Sequence, residues 1–185
     1  MYLFERKPGE NTDEAIKLIF SEEANEINPG LPDVQKERRK QYLASKLIEK
    51  NANLEVFQFG YQEIASLESI TEEEARIKYR HLELNGREDG NGIQITLFDD
   101  SVTITVPYWH KREKAKAVFE EIWEYMKIIQ EETNYLIYDP QLEMTLNLSS
   151  GFSAALRLYK TTARWSEEAI ISSQGEEKKP WWRFW

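Results

Sequence analysis

The chain has 185 residues, 41% hydrophobic and 31% charged, with a formal net charge of −9 and no cysteine. That length fits one domain able to bury a core unaided, and without cysteine there are no disulfides, thiolate metal sites or cysteine nucleophile. The acidic balance opposes nucleic-acid binding unless charge is segregated, and the apolar runs are too short for a membrane span.

The opening MYLFERKPGE has no basic stretch followed by an apolar one, so no secretory leader is read and a cytoplasmic location is expected. Tyr2-Leu3-Phe4 predicts a first strand, ended by Lys7-Pro8-Gly9. Asn11 is placed to cap a helix, with Glu14 at the reciprocal position of a capping box. Ala15, Ile16, Ile19 and Phe20 share one face of that helix, roughly continued by Ala24 and Ile27. Asn28-Pro29-Gly30-Leu31-Pro32 breaks the chain. A second helix is expected from about Asp33 to Lys50, its thin apolar face running from Val34 through Leu43 to Leu47. Residues 36–50 of that helix hold six basic and two acidic side chains, a local +4 that reads as a solvated face.

Leu54 to Phe59 reads as a strand, and Thr71 with Glu74 makes a capping box for a short helix over residues 71–78. Tyr79 to Leu84 reads as another strand, and residues 85–92 as a loop. Ile93, Ile95 and Leu97 alternate with Gln94 and Thr96; Val102, Ile104 and Val106 alternate with Ser101, Thr103 and Thr105. Asp99-Asp100 joins the two as a tight hairpin turn. Each strand has one apolar face, so a sheet covered on one side is expected. Over residues 112–132, Ala115, Val118, Phe119, Ile122, Met126 and Ile129 form the stripe such a sheet needs. Tyr135 to Tyr138 is the following strand, and a last helix is expected over about residues 152–171.

The strand-end Tyr138-Asp139-Pro140-Gln141 has two readings. Proline lacks an N–H and cannot continue a ladder, which makes the segment a strand stop. Alternatively Asp139 is a nucleophile, base or ligand beside Gln141, although no sequence-local partner supports that role. His81 and His110 belong to no metal-binding motif and are expected at the surface or at strand edges. The loop from Asn85 fails as a calcium site, with Arg87 at a ligand position and Thr96 where a bidentate glutamate belongs. No serine-nucleophile elbow or phosphate-binding glycine loop occurs, so no catalytic, cofactor or metal residues are assigned. Trp181, Trp182, Phe184 and Trp185 crowd the last five residues. Leaving them in water is costly. They are expected to dock on their own domain, on a second copy, or on a partner or membrane interface, in that order.

The opening strand, the Thr12-x-Glu14-Ala15 helix start and the Tyr138-Asp139-Pro140-Gln141 strand end resemble a group of small uncharacterised bacterial proteins. Some of its members are similar to immunity proteins of bacterial toxin systems. The resemblance spans residues 2–28 and 92–141 and implies a ferredoxin-like sandwich, with no catalytic residues to carry over. With the patterning above, the expected fold is α+β: an antiparallel sheet with helices on one face over residues 1–150, and a C-terminal helix and aromatic tail over 151–185 packed on the same domain. The expected function is non-catalytic binding, of immunity type, against a basic toxin. A self-associating structural protein and an enzyme of unknown class are the alternatives. No cofactor is expected.

Overall fold

The computed structural model describes residues 1–6, 9–19, 31–86, 91–141 and 143–162. In chain order it contains β1 (Tyr2–Phe4), α1 (Thr12–Ile19), α2 (Val34–Lys50), β2 (Leu54–Val56), α3 (Tyr61–Glu68) and α4 (Glu72–Lys78). There follow β3 (Leu82–Gly86), β4 (Gln94–Leu97), β5 (Ser101–Thr105), α5 (Arg112–Thr133), β6 (Leu136–Asp139) and β7 (Met144–Thr145). A last helix, α6, covers 152–162. The strands form one seven-stranded sheet in the order β2-β3-β4-β5-β1-β6-β7, and every pair is antiparallel. A mixed chain with an antiparallel sheet is thus what the patterning predicts.

Register sorts the side chains into two faces. Directly opposed residues point the same way, so Leu82, Leu97, Val102, Leu3 and Ile137 make one apolar row, and Leu84, Ile95 and Ile104 another. The α5 stripe covers these rows, with Trp123 and Tyr125 added to the positions read from the sequence. Leu43, Ala44 and Leu47 of α2 join the same core, as do Ala155 and Tyr159 of α6. Asn134 ends α5 in the left-handed conformation, at φ 57°, which asparagine tolerates better than most residues.

The opposite face differs from expectation. Helices do not lie on one side only, because α1 packs on the other. Phe4, Ala15 and Tyr138 form a second apolar cluster there, with Tyr2, Ile16, Ile19 and Leu136 against it. The reason lies in the short runs Tyr2-Leu3-Phe4 and Leu136-Ile137-Tyr138, which are apolar at every position and so need cover on both faces. Among the described residues, this outer cluster does not extend beyond β1 towards β5.

Further readings change. α3 is additional, and β2 stops at Val56, although Phe57 N–H still donates to the Glu83 carbonyl at 2.8 Å. Val34 is 65% exposed and does not belong to the apolar face of α2. His81 and His110 are buried rather than superficial. The basic face of α2 is not simply solvated, since Lys36, Arg39 and Lys40 converge on the Asp99-Asp100 turn. Lys36 pairs with Asp100 at 2.5 Å and Lys40 with Asp99 at 2.9 Å, while Arg39 donates to the Asp99 carbonyl. Phe20, Ala24, Ile27 and the expected end of the last helix lie outside the described residues.

Candidate binding face

β6 ends at Asp139, as proline at the next position requires. The chain then turns back at once. Tyr138 and Asp139 pair with Thr145 and Met144 of β7. Asp139 Oδ1 accepts the Gln141 N–H at 2.9 Å, an Asx-type turn that holds Pro140 between them. Glu143 closes the turn at φ 49°. The carboxylate is therefore fixed by local backbone chemistry, on a residue that is only 6% exposed.

This turn separates two hollows. The first, of about 490 Å³, lies between α1 and the turn and is lined by Asp13, Ile16, Lys17, Tyr138, Pro140 and Glu143. The second, of about 330 Å³, opens at the ends of β1, β5 and β6, where Tyr2, Thr103, Thr105, Tyr108, Asp139, Pro140 and Gln141 line it with Met1, Ile104 and Val106. Tyr138 faces the first and Asp139 and Gln141 the second, so the segment singled out in the sequence is brought together at one place. Trp181, Trp182, Phe184 and Trp185 lie outside the described residues.

Tyr2, Thr103 and Thr105, which line the second hollow, also belong to the outer face of the sheet. On the outer face Glu83, Thr96, Thr103, Tyr2 and Tyr138 form one cross-strand row. Glu55, Asn85, Gln94 and Thr105 form the next. From β2 to β5 these rows carry hydroxyls, amides and two carboxylates, and no basic side chain. At the hairpin end the face turns aromatic. His81 sits against Phe59 and Phe98, with ring centroids at 4.8 and 5.3 Å, and its Nδ1 has no hydrogen-bond partner. Burial pulls the imidazole below its ordinary value, Lys40 reinforces that, and Glu83 opposes it.

Electrostatics sharpen the strand-end hollow. Burial, and next the Asp139 charge, push the Tyr108 phenol well above its ordinary value, against a hydrogen bond from Gln141. Tyr108 thus remains a neutral hydroxyl. Behind it Tyr159, raised to about 12 by burial, donates to the Pro107 carbonyl at 2.5 Å. The hollow is thus lined by one fixed carboxylate, by Tyr2 and Tyr108, by Thr103 and Thr105, and by the Met1 ammonium, which donates to the Ile104 carbonyl at 2.8 Å. Among the described residues, no group of three or more histidine, aspartate or glutamate side chains is placed to hold a metal ion. None of their helices is long and apolar enough to cross a membrane.

Comparison with known protein families, curated proteins and solved structures finds no match for this chain. The site therefore rests on its own geometry. Sequence reading reaches Tyr138, Asp139 and Gln141 but not Tyr108, Thr103, Thr105 or Asp13. Alternation already places Thr103 and Thr105 on one face. What it lacks is the strand order that sets β5 beside β1, and so beside the turn after β6.

Proposed function

We propose that this chain is a non-catalytic bacterial binding protein of immunity type, which docks a basic toxin on the face around Tyr138-Asp139-Pro140-Gln141. The observation that carries this reading is the charge of that face. Asp13, Glu143 and Asp139 line the two hollows, with Lys17 the one lysine or arginine among the described lining residues. The adjoining sheet rows add Glu55 and Glu83. A basic partner would be steered by this field and by the overall charge of −9. The resemblance in the opening strand and at the strand end points the same way.

The strand order supports a ferredoxin-like core within the larger sheet. β4-β5-β1-β6 neighbour one another in that order. A helical segment separates β1 from β4, and α5 separates β5 from β6. In this reading β2, β3, α3 and α4 are an insertion that lengthens one side of the sheet. The partly open face is then the side opposite α2 and α5.

A pull-down from the native host combined with a toxicity assay tests the proposal. Recovery of a basic protein against whose action the chain protects cells supports it. Recovery of no partner, with no protection, contradicts it.

A further inference from the structure

The outer face of the sheet carries an aromatic strip at its β2 end. Val56 is opposite Leu84 and packs against the core, so alternation turns Glu55 and Phe57 outward. The Phe57 N–H donates to the Glu83 carbonyl at 2.8 Å, which keeps the chain alongside β3. From there the rings run on without a break. Phe57 meets Phe59 with centroids at 5.0 Å, Phe59 meets His81 at 4.8 Å, and His81 meets Phe98 at 5.3 Å. His81 is buried, whereas Phe57 is 47% exposed and Phe59 and Phe98 are partly exposed. Rings left in this state gain from further cover. Beside them Glu55 and Glu83 place two carboxylates on the same face.

One segment of the chain has the matching chemistry. Residues 178–185 carry Lys178, Lys179, Arg183, three tryptophans and a phenylalanine, and no acidic side chain. Their charge is opposite to that of Glu55 and Glu83, and tryptophan and arginine both stack well on aromatic rings. The path from Thr162 to Lys178 spans up to about 50 Å when extended, against about 40 Å across a domain of this size, so reach does not limit it. Charge argues against the other exposed rings. Trp109 is 62% exposed but lies next to Lys111, Arg112 and Lys114, with Glu113 the one acid among them, and these would repel a basic segment. The hollow beside α1 offers the single ring of Tyr138 and has Lys17 next to its two carboxylates.

We propose that residues 178–185 dock on the outer sheet face of their own chain, across Phe57, Phe59 and Phe98, with their basic side chains against Glu55 and Glu83. Docking there leaves the two hollows beside the turn after β6 to a partner, and it does not depend on the toxin-binding role.

The absence of cysteine gives a clean test in the full chain. Pro180→Cys takes a nitroxide spin label at that position alone, and backbone amide intensities are read by NMR before and after the label is reduced. The expected result is a strong loss of intensity at Phe57 and Thr96, restored by reduction, with Lys46 on α2 across the sheet unaffected. In the labelled chain, Glu55→Lys with Glu83→Lys is expected to restore most of that intensity by reversing the attraction. Trp181→Ser with Trp182→Ser is expected to do the same by removing the stacking rings, and it decides the matter should the glutamate variant not fold. No loss at Phe57 and Thr96, or a loss centred instead on Ile16 and Tyr138 or on Trp109, overturns the proposal. So does a loss that survives the substitutions. An equal loss in an isotope-labelled chain without the spin label, mixed with the spin-labelled chain, overturns it too, because docking is then between copies.

Discussion

Asp99 is the residue on which two elements depend. Its oxygens accept from Lys40 at 2.9 Å and Arg80 at 2.5 Å, and Lys40 also donates to Glu37 and to the Arg80 carbonyl. Burial pushes the Asp99 carboxyl up, but Arg80 and Lys40 outweigh it and hold the group below its ordinary value. Removing the Asp99 charge leaves the buried Lys40 and Arg80 with Glu37 as the shared carboxylate among the described residues, so Asp99→Asn is expected to cost about 3 kcal/mol or more in urea unfolding. Lys36→Ala, which breaks the exposed pair with Asp100, is expected to cost under about 1 kcal/mol. Near-equal losses for the two would show that the Asp99 set is not buried in the sense that matters.

Two neighbours in this region titrate in separate windows. Asp99 has a lowered folded pKa, so its contribution is present above the ordinary carboxylate value of 3.8 and is lost as pH falls through the folded value below it. His81 also has a lowered folded pKa, but for a base the unfolded chain then binds more protons below 6.5. Its contribution is complete above that value and is lost as pH falls towards the folded one. Glu83 and Lys40 face the ring with opposite effects, and burial decides the sign. Stability of the native chain is therefore expected to decline as pH falls below 6.5, and His81→Phe is expected to flatten that decline. An unchanged slope in the variant would assign it to other groups.

At the scale of elements, α5 is the strongest claim the sequence makes, and its stripe is fully buried. Ile122→Ala is expected to cost about 2–5 kcal/mol, and Glu120→Ala, on the outward side, less than about 0.5 kcal/mol. Equal effects in thermal unfolding would contradict the packing of α5 on the sheet. The capping box of α4 is a second legible device, with both reciprocal bonds between Thr71 and Glu74 formed. Thr71→Ala is expected to lose about 1 kcal/mol. The hairpin at Asp99-Asp100 was likewise legible, because alternation on both sides of two turn residues leaves little choice of register. α3 was not. Its cap residue, Gly60, makes no side-chain cap bond, and Leu67 within it is 79% exposed, so neither a start nor an apolar face marks it. The place of α1 was legible only in part, since it depends on recognising Tyr2-Leu3-Phe4 as a strand apolar on both faces.

For the whole molecule, the strand order turns separate sequence features into one surface. β1 lies between β5 and β6, and this brings Tyr2, Thr103, Tyr108 and Asp139 to one hollow although the chain carries them far apart. No local pattern could report that. Asp13, Asp139 and Glu143 line the two hollows at the turn after β6, and this makes the proposed role depend on charge rather than on apolar area. Asp13 and Glu143 are both exposed, so reversing them leaves the core untouched. Binding to a basic partner is expected to weaken with salt, mainly through a slower association rate.

The most direct measurement is protection of toxin-exposed host cells by the native chain and by an Asp13→Lys, Glu143→Lys double variant of unchanged thermal stability. Protection by the native chain, with a loss of about tenfold or more in the partner affinity of the variant, is the result this account predicts. Undiminished protection and affinity in the variant would contradict it.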